Sequence, residues 1–186
     1  LHSFPTRRSS DLIRQLVSTL LAKHNVRSAP VPVERIAKSL HITISLEEVD
    51  DDLSGFLYRD KKGKKVVIGA NKSHHANRQR FTIAHELAHF LLHEGEMVHL
   101  DSGRGAFMLN LRDSESATGE DNDEREANFF AAELLMPEEF LVRDLKDTDL
   151  DMLEDESEFL RKLAKKYQVS AQALTFRLAN LGYISL

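Results

Sequence analysis

The sequence predicts an α+β domain with a small antiparallel sheet, a buried helix that carries the chemistry, and a helical pair at its C-terminal end. Three observations carry that prediction. Residues 41–46 alternate apolar and polar with period two, and residues 53–58 and 65–70 read as two more strands flanking the charged turn Asp60-Lys61-Lys62-Gly63-Lys64. Residues 81–93 are apolar around about half of a helical circumference and polar on one narrow face. Residues 159–178 read as two helices across a tight turn capped by Ser170, a pattern that resembles a helix-turn-helix.

Composition bounds the class. With 186 residues, 41% hydrophobic and 30% charged, the chain fits one domain with a core of ordinary size and a small appendage. It has no cysteine, so disulfides and thiolate metal sites are excluded, and any metal must be held by histidines and carboxylates. No apolar run approaches the roughly 18 residues of a membrane span and no stretch resembles a secretory leader, so a cytoplasmic protein without membrane contact is expected. A net charge of -5 argues against nucleic acid as the main partner.

Residues 1–12 lack periodicity and fit no element. At every position they resemble one reading frame through a common short-read sequencing adapter. They are therefore expected to be a non-native segment outside the fold, leaving a main unit over residues 13–150 and the helical pair over residues 151–186. From Ile13 the spacing of Leu16, Val17, Leu20 and Leu21 predicts a helix to about His24. The prolines of residues 28–33 make an extended connector, because each disfavours helix in the residue before it. A short helix over residues 33–40 follows, with Ile36 and Ala37 as its apolar side.

Ser73 is the expected N-cap of the buried helix, which is expected to end at Gly95. Residues 95–120 are polar and glycine-containing, with residues 106–111 as the one candidate strand, and loops of that length often wall active sites. A second well-formed helix spans residues 123–135 and stops before Pro137. Pro137 opens another helix, with Phe140, Leu141 and Leu145 inward. An acidic stretch over residues 147–158 reads as a solvated linker or helix start. In the second helix of the C-terminal pair Arg177 is the one charged residue between Ala171 and Leu181, too little for DNA recognition, so the pair is expected to pack on the catalytic part.

The buried helix contains His85-Glu86-Leu87-Ala88-His89, an H-E-x-x-H motif. Residues four apart on a helix are offset by about 40° and one turn, so His85 and His89 can offer two imidazoles to one ion. Glu86 lies about 60° further round, suited to hold a water beside that ion as a general base. A third histidine at the spacing H-E-x-x-H-x-x-G-x-x-H is missing, since Leu92 and Gly95 occupy the last glycine and histidine positions. His93 and His99 are off that spacing. The remaining option is a carboxylate from the second helix, and Glu124 with Asn128 one turn later has the form of a ligand and its supporting partner. Periodicity puts Glu124 on the buried face of that helix with Ala127, Ala131 and Leu135, and Glu126 on the outer face beside Glu133. Glu120 would point inward only if the helix began a turn earlier. Tyr58, His74 and His75 have the right chemistry to stabilise an oxyanion.

Ser54-Gly55 before the hairpin, Arg80-Phe81-Thr82-Ile83-Ala84-His85-Glu86-Leu87-Ala88-His89, and the run from Glu124-Arg125-Glu126-Ala127-Asn128 to Leu134-Leu135-Met136-Pro137 together resemble the ImmA/IrrE family of metallo-endopeptidases. Ala88 departs from the glycine that many members carry. The resemblance implies a minimal zincin-like fold, a Zn2+ ion held by His85, His89 and Glu124, and Glu86 as the catalytic base. It also implies a helix-turn-helix repressor as substrate, cleaved to release a mobile element, phage or stress regulon. The rival reading from another class is a catalytically silent zincin-fold regulator that acts by binding protein or DNA.

Overall fold

The computed structural model describes residues 7–50, 52–60, 64–93, 98–101, 119–146, 148 and 155–185. Helix α1 (Arg7–Lys23) and the short α2 (Val33–Ser39) lead into β1 (Ile42–Glu47), β2 (Gly55–Arg59) and β3 (Val66–Asn71). Then come α3 (Ala76–Leu92), β4 (Val98–Asp101), α4 (Gly119–Leu135), α5 (Glu138–Leu145), α6 (Glu156–Tyr167) and α7 (Ala171–Asn180). The α+β class, the hairpin and the helical order are as the sequence predicts.

The sheet runs β1-β3-β2-β4 and is mixed, which corrects the expectation of an antiparallel one. β2 pairs antiparallel with both β3 and β4, while β1 joins the far side of β3 in parallel, Ile42 opposite Val66. Period-two alternation reports which face a side chain takes and is silent about the direction of the neighbouring strand.

One face of the sheet lies on α3. Gly55 marks how close that approach is: a Cβ there would stand 2.3 Å from Thr82 Cγ2 of α3 and 2.5 Å from the carbonyl oxygen of Gly69. Leu57 is buried on the same face, and Arg59, two residues on, donates to the carbonyls of His89 and His93 at 2.7 and 3.0 Å. That guanidinium adds a donor to the His89 carbonyl, which also accepts from the His93 amide at 3.3 Å, and its charge complements the negative end of the helix dipole.

α3 is buried along every residue from Arg80 to His89, as an apolar stripe over half a circumference demands. Its register is fixed from outside: Arg80 donates to the Val31 carbonyl at 2.8 Å and pairs with Glu34 at 3.4 Å. The N-cap is His75, whose Nδ1 accepts from the Asn77 amide at 3.2 Å, while the Ser73 hydroxyl is drawn to Asn71 Oδ1 at 2.7 Å. The helix therefore starts later than the Ser73 cap predicts. Its C-cap is His93; Gly95 and residues 106–111 lie outside the described residues.

α1 begins at Arg7, six residues ahead of the expected start, so residues 7–12 belong to a helix and do not stand outside the fold. Ser10 is buried, and the Ser9 hydroxyl donates to Glu126 of α4. The arginines, serines and Leu12 of this stretch contain neither glycine nor proline, so nothing stops the helix that Ile13, Val17, Leu20 and Leu21 anchor in the core.

The C-terminal pair packs on the rest of the chain. Ser170 caps α7, accepting from the Ala173 amide at 3.1 Å, as its sequence position predicts. Arg177 is 3% exposed, donates to the Met136 carbonyl at 3.2 Å and forms a short ion pair with Glu133 of α4. Glu133 is thus buried, not on an outer face, because α7 covers the side of α4 opposite α3. Tyr167 donates to Asp144 at 2.8 Å, and burial together with that carboxylate raises the phenol above its usual range. The one charged side chain of α7 is spent inside the protein. Among the described residues no helix is long and apolar enough to cross a membrane.

Candidate metal centre

α3 and α4 lie side by side and face each other with their polar positions. His85 Nε2 and His89 Nε2 are 3.1 Å apart. From α4, Glu124 brings Oε2 to 3.3 Å from His85 Nε2 and Oε1 to 3.1 Å from His89 Nε2. Two imidazole nitrogens and a carboxylate oxygen, all within 4.8 Å of one another, form the donor set. Ligands of a tetrahedral zinc at its usual bond lengths stand about 3.3 Å apart. The observed separations match that edge length, and the donor types are those zinc takes, so the residues fit the ion.

The ring orientations suit the same purpose. His85 Nδ1 meets Asn128 Oδ1 at 3.1 Å; with the proton on Nδ1, the Nε2 lone pair faces the donor set. Asn128 is therefore where the sequence places it, one turn beyond Glu124. His89 Nδ1 meets His93 Nδ1 at 3.1 Å, which leaves His89 Nε2 toward the donor set, while His93 Nε2 lies with Asp123 and Glu126 in a second group of possible donors. Glu86 is wholly buried next to His85.

Burial alone would raise the Glu124 carboxyl, but its contacts with His85, His89 and His99 reverse this and hold it well below the usual carboxylate range. His89 moves the other way from a paired histidine: burial lowers it and outweighs the Glu124 hydrogen bond. His99 is raised to about 10, first by its hydrogen bond with Glu124 and then by that with Glu86. Neutral His89 with an ionised Glu124 is the protonation state a metal needs.

His99 is the site residue that sequence reasoning set aside. It sits on β4 opposite Leu57 of β2, so its side chain takes the face of the sheet that lies on α3. There Nδ1 is 3.2 Å from Glu86 Oε2, Nε2 is 3.0 Å from Glu124 Oε1, and the ring stacks on His89 at 3.9 Å between centroids. The available signal was the alternation Val98-His99-Leu100, too short to separate from the polar loop around it. Tyr58, one residue beyond Leu57, points to the opposite face and is 37% exposed. His74 and His75 lie at the start of α3, about 15 Å of helix away from His85, so none of these three candidates reaches the centre. α4 begins at Gly119, a turn earlier than expected, but the Glu120 side chain lies outside the described residues. Glu126 pairs with Ser9 and stands 3.4 Å from His93, away from the donor set.

Residues 37–179 match the family model of the IrrE N-terminal-like domain, a peptidase family. The chain belongs to this ImmA/IrrE peptidase family. An uncharacterised immunity region protein 2 from Bacillus phage phi105 is 28% identical over 141 residues, 76% of this chain and 78% of that protein. In structure the IrrE-like chain resembles a Mycobacterium tuberculosis transcriptional regulator with a TM-score of 0.56 and 14% identity, a likeness of fold. The match covers 95% of this chain and 52% of the regulator, so the chain spans about half the length of that protein.

Proposed function

We propose that this chain is a zinc-dependent endopeptidase in which His85, His89 and Glu124 hold the metal, Asn128 orients His85, and Glu86 is the general base. The observation that carries the reading is the convergence of three donor atoms from two helices within 4.8 Å, beside a buried carboxylate. Membership of a peptidase family supports it. Bound there, zinc supplies a Lewis acid that polarises the scissile carbonyl and acidifies water.

The protein's own groups do the rest. Glu86 takes a proton from the attacking water as the new C–O bond forms, and delivers it to the amine as the C–N bond breaks. Asn128 and His93 engage Nδ1 of His85 and His89, which turns each Nε2 toward the donor set, and burial keeps the His89 ring neutral. The proposed substrate is a helix-turn-helix repressor, cleaved to release a mobile element, phage or stress regulon. The likeness to a phage immunity region protein supports that setting. Burial of Arg177 of α7 in an ion pair supports the peptidase reading over the DNA-binding arm of the silent-regulator reading.

Co-expression with a repressor encoded beside the gene tests this. Glu86→Gln should abolish cleavage while zinc stays near one ion per chain, because Glu86 acts on water and is not a ligand. Cleavage that survives the substitution would overturn the mechanism.

A further inference from the structure

We propose that His99 is a positioning residue of the centre, a clamp that fixes the third metal ligand and the general base relative to each other. The inference rests on the reading of His85, His89 and Glu124 as a metal site. Its geometric basis is that one ring spans two carboxylates with different tasks. Nδ1 reaches Glu86 Oε2 at 3.2 Å and Nε2 reaches Glu124 Oε1 at 3.0 Å. Glu86 comes from α3, Glu124 from α4 and His99 from β4, so the ring ties three elements at one point.

The clamp is itself held in place. β4 pairs with β2 from Tyr58 to Gly55, which sets the height of His99 over α3, and stacking on His89 sets the plane of its ring. Both ring nitrogens are directed at carboxylates, so the ring supports the donor set and does not join it. Glu124 needs such support. Its side chain is 31% exposed, against 2% for His85, and a carboxylate that can swing into solvent loses the preorganisation that binding requires. With His99 on one oxygen, the other remains beside His85 Nε2. Glu86 is restrained in the same way, with one oxygen on His99.

Three substitutions separate the two arms, because an asparagine amide nitrogen stands near the place of Nδ1 and a glutamine amide nitrogen near that of Nε2. Zinc affinity is measured by competition with a chromophoric chelator. His99→Phe keeps the stacked ring and removes both contacts, and should weaken zinc binding about 10- to 100-fold. His99→Asn keeps only the Glu86 contact and should lose as much. His99→Gln keeps the Glu124 contact and should stay within about threefold of wild type. For the second arm, the visible band of the cobalt(II)-loaded protein is titrated with pH. Its midpoint should stay at the wild-type value in His99→Asn and move in His99→Gln. Circular dichroism of the metal-free variants should superimpose on wild type, since a positioning role leaves the fold intact; if His99→Phe alone fails to fold, the two amide variants still decide. Zinc affinity unchanged in His99→Asn, or lost equally in His99→Asn and His99→Gln, would overturn the clamp. A wild type that takes up no zinc would overturn the metal site itself, and the clamp with it.

Discussion

Replacing Arg177 by methionine removes the cation from the buried ion pair that joins α7 to α4 while keeping most of the side-chain volume. Arg177 is 3% exposed and Glu133 6%, so the substitution strands a carboxylate in the core. Breaking one partner of such a pair costs about 3–5 kcal/mol. Glu133 keeps the Glu138 amide at 3.2 Å and gains some relief from Arg14 Nε at 3.9 Å, so the lower end applies, about 3 kcal/mol. In a domain of this size that lowers Tm by roughly 6–12 °C. Urea unfolding of the zinc-saturated proteins measures it. The double variant Arg177→Met with Glu133→Leu should recover most of the loss, since an apolar pair leaves no charge unpaired. A single-variant loss under about 0.5 kcal/mol would refute the claim that the C-terminal helices are part of one core, and would free Arg177 for an external partner.

Removing residues 1–12 should cost about 1–2 kcal/mol, because it deletes the start of α1, the buried Ser10 and the hydrogen bond from Ser9 to Glu126; an unchanged melting curve would show that this turn is not integrated. Metal-free protein should also lose stability as pH rises from about 7 to 10. His99 is raised to about 10 in the folded state from an ordinary value of 6.5, so its contribution is complete below about 6.5 and vanishes through 10. Glu124, held low, has the opposite sign, and its contribution is present above about 4.5 and is lost as pH falls. Urea unfolding in chelator across this range should give a shallower alkaline decline for His99→Phe than for wild type; equal declines would assign the loss to other groups.

The legible part of the fold was what local pattern encodes. The apolar stripe around α3, the hairpin, the Ser170 cap and the burial of Phe140, Leu141 and Leu145 all follow from spacing and turn chemistry. The donor set was legible for the same reason: His85 and His89 are one turn apart, and the face of α4 that carries Ala127 and Ala131 also carries Glu124. The illegible part depended on pairing at a distance. β1 beside β3 in parallel, and His99 arriving on a four-residue strand, are set by which strands meet, which a single sequence does not state. Glu133 looked solvent-facing because its partner Arg177 lies far along the chain. His75 displaced Ser73 as the cap of α3 because Asn71, 0% exposed, captures the Ser73 hydroxyl.

The central claim is that Glu124 completes the metal site and its neighbour Glu126 does not. Glu124 lies within hydrogen-bonding distance of both motif histidines, whereas Glu126 turns toward Ser9 and His93. Bound zinc per chain, measured by atomic emission after dialysis, should fall close to zero in Glu124→Ala and stay near one in Glu126→Ala. Zinc kept by the first variant and lost from the second would contradict both the ligand assignment and the register of α4 behind it.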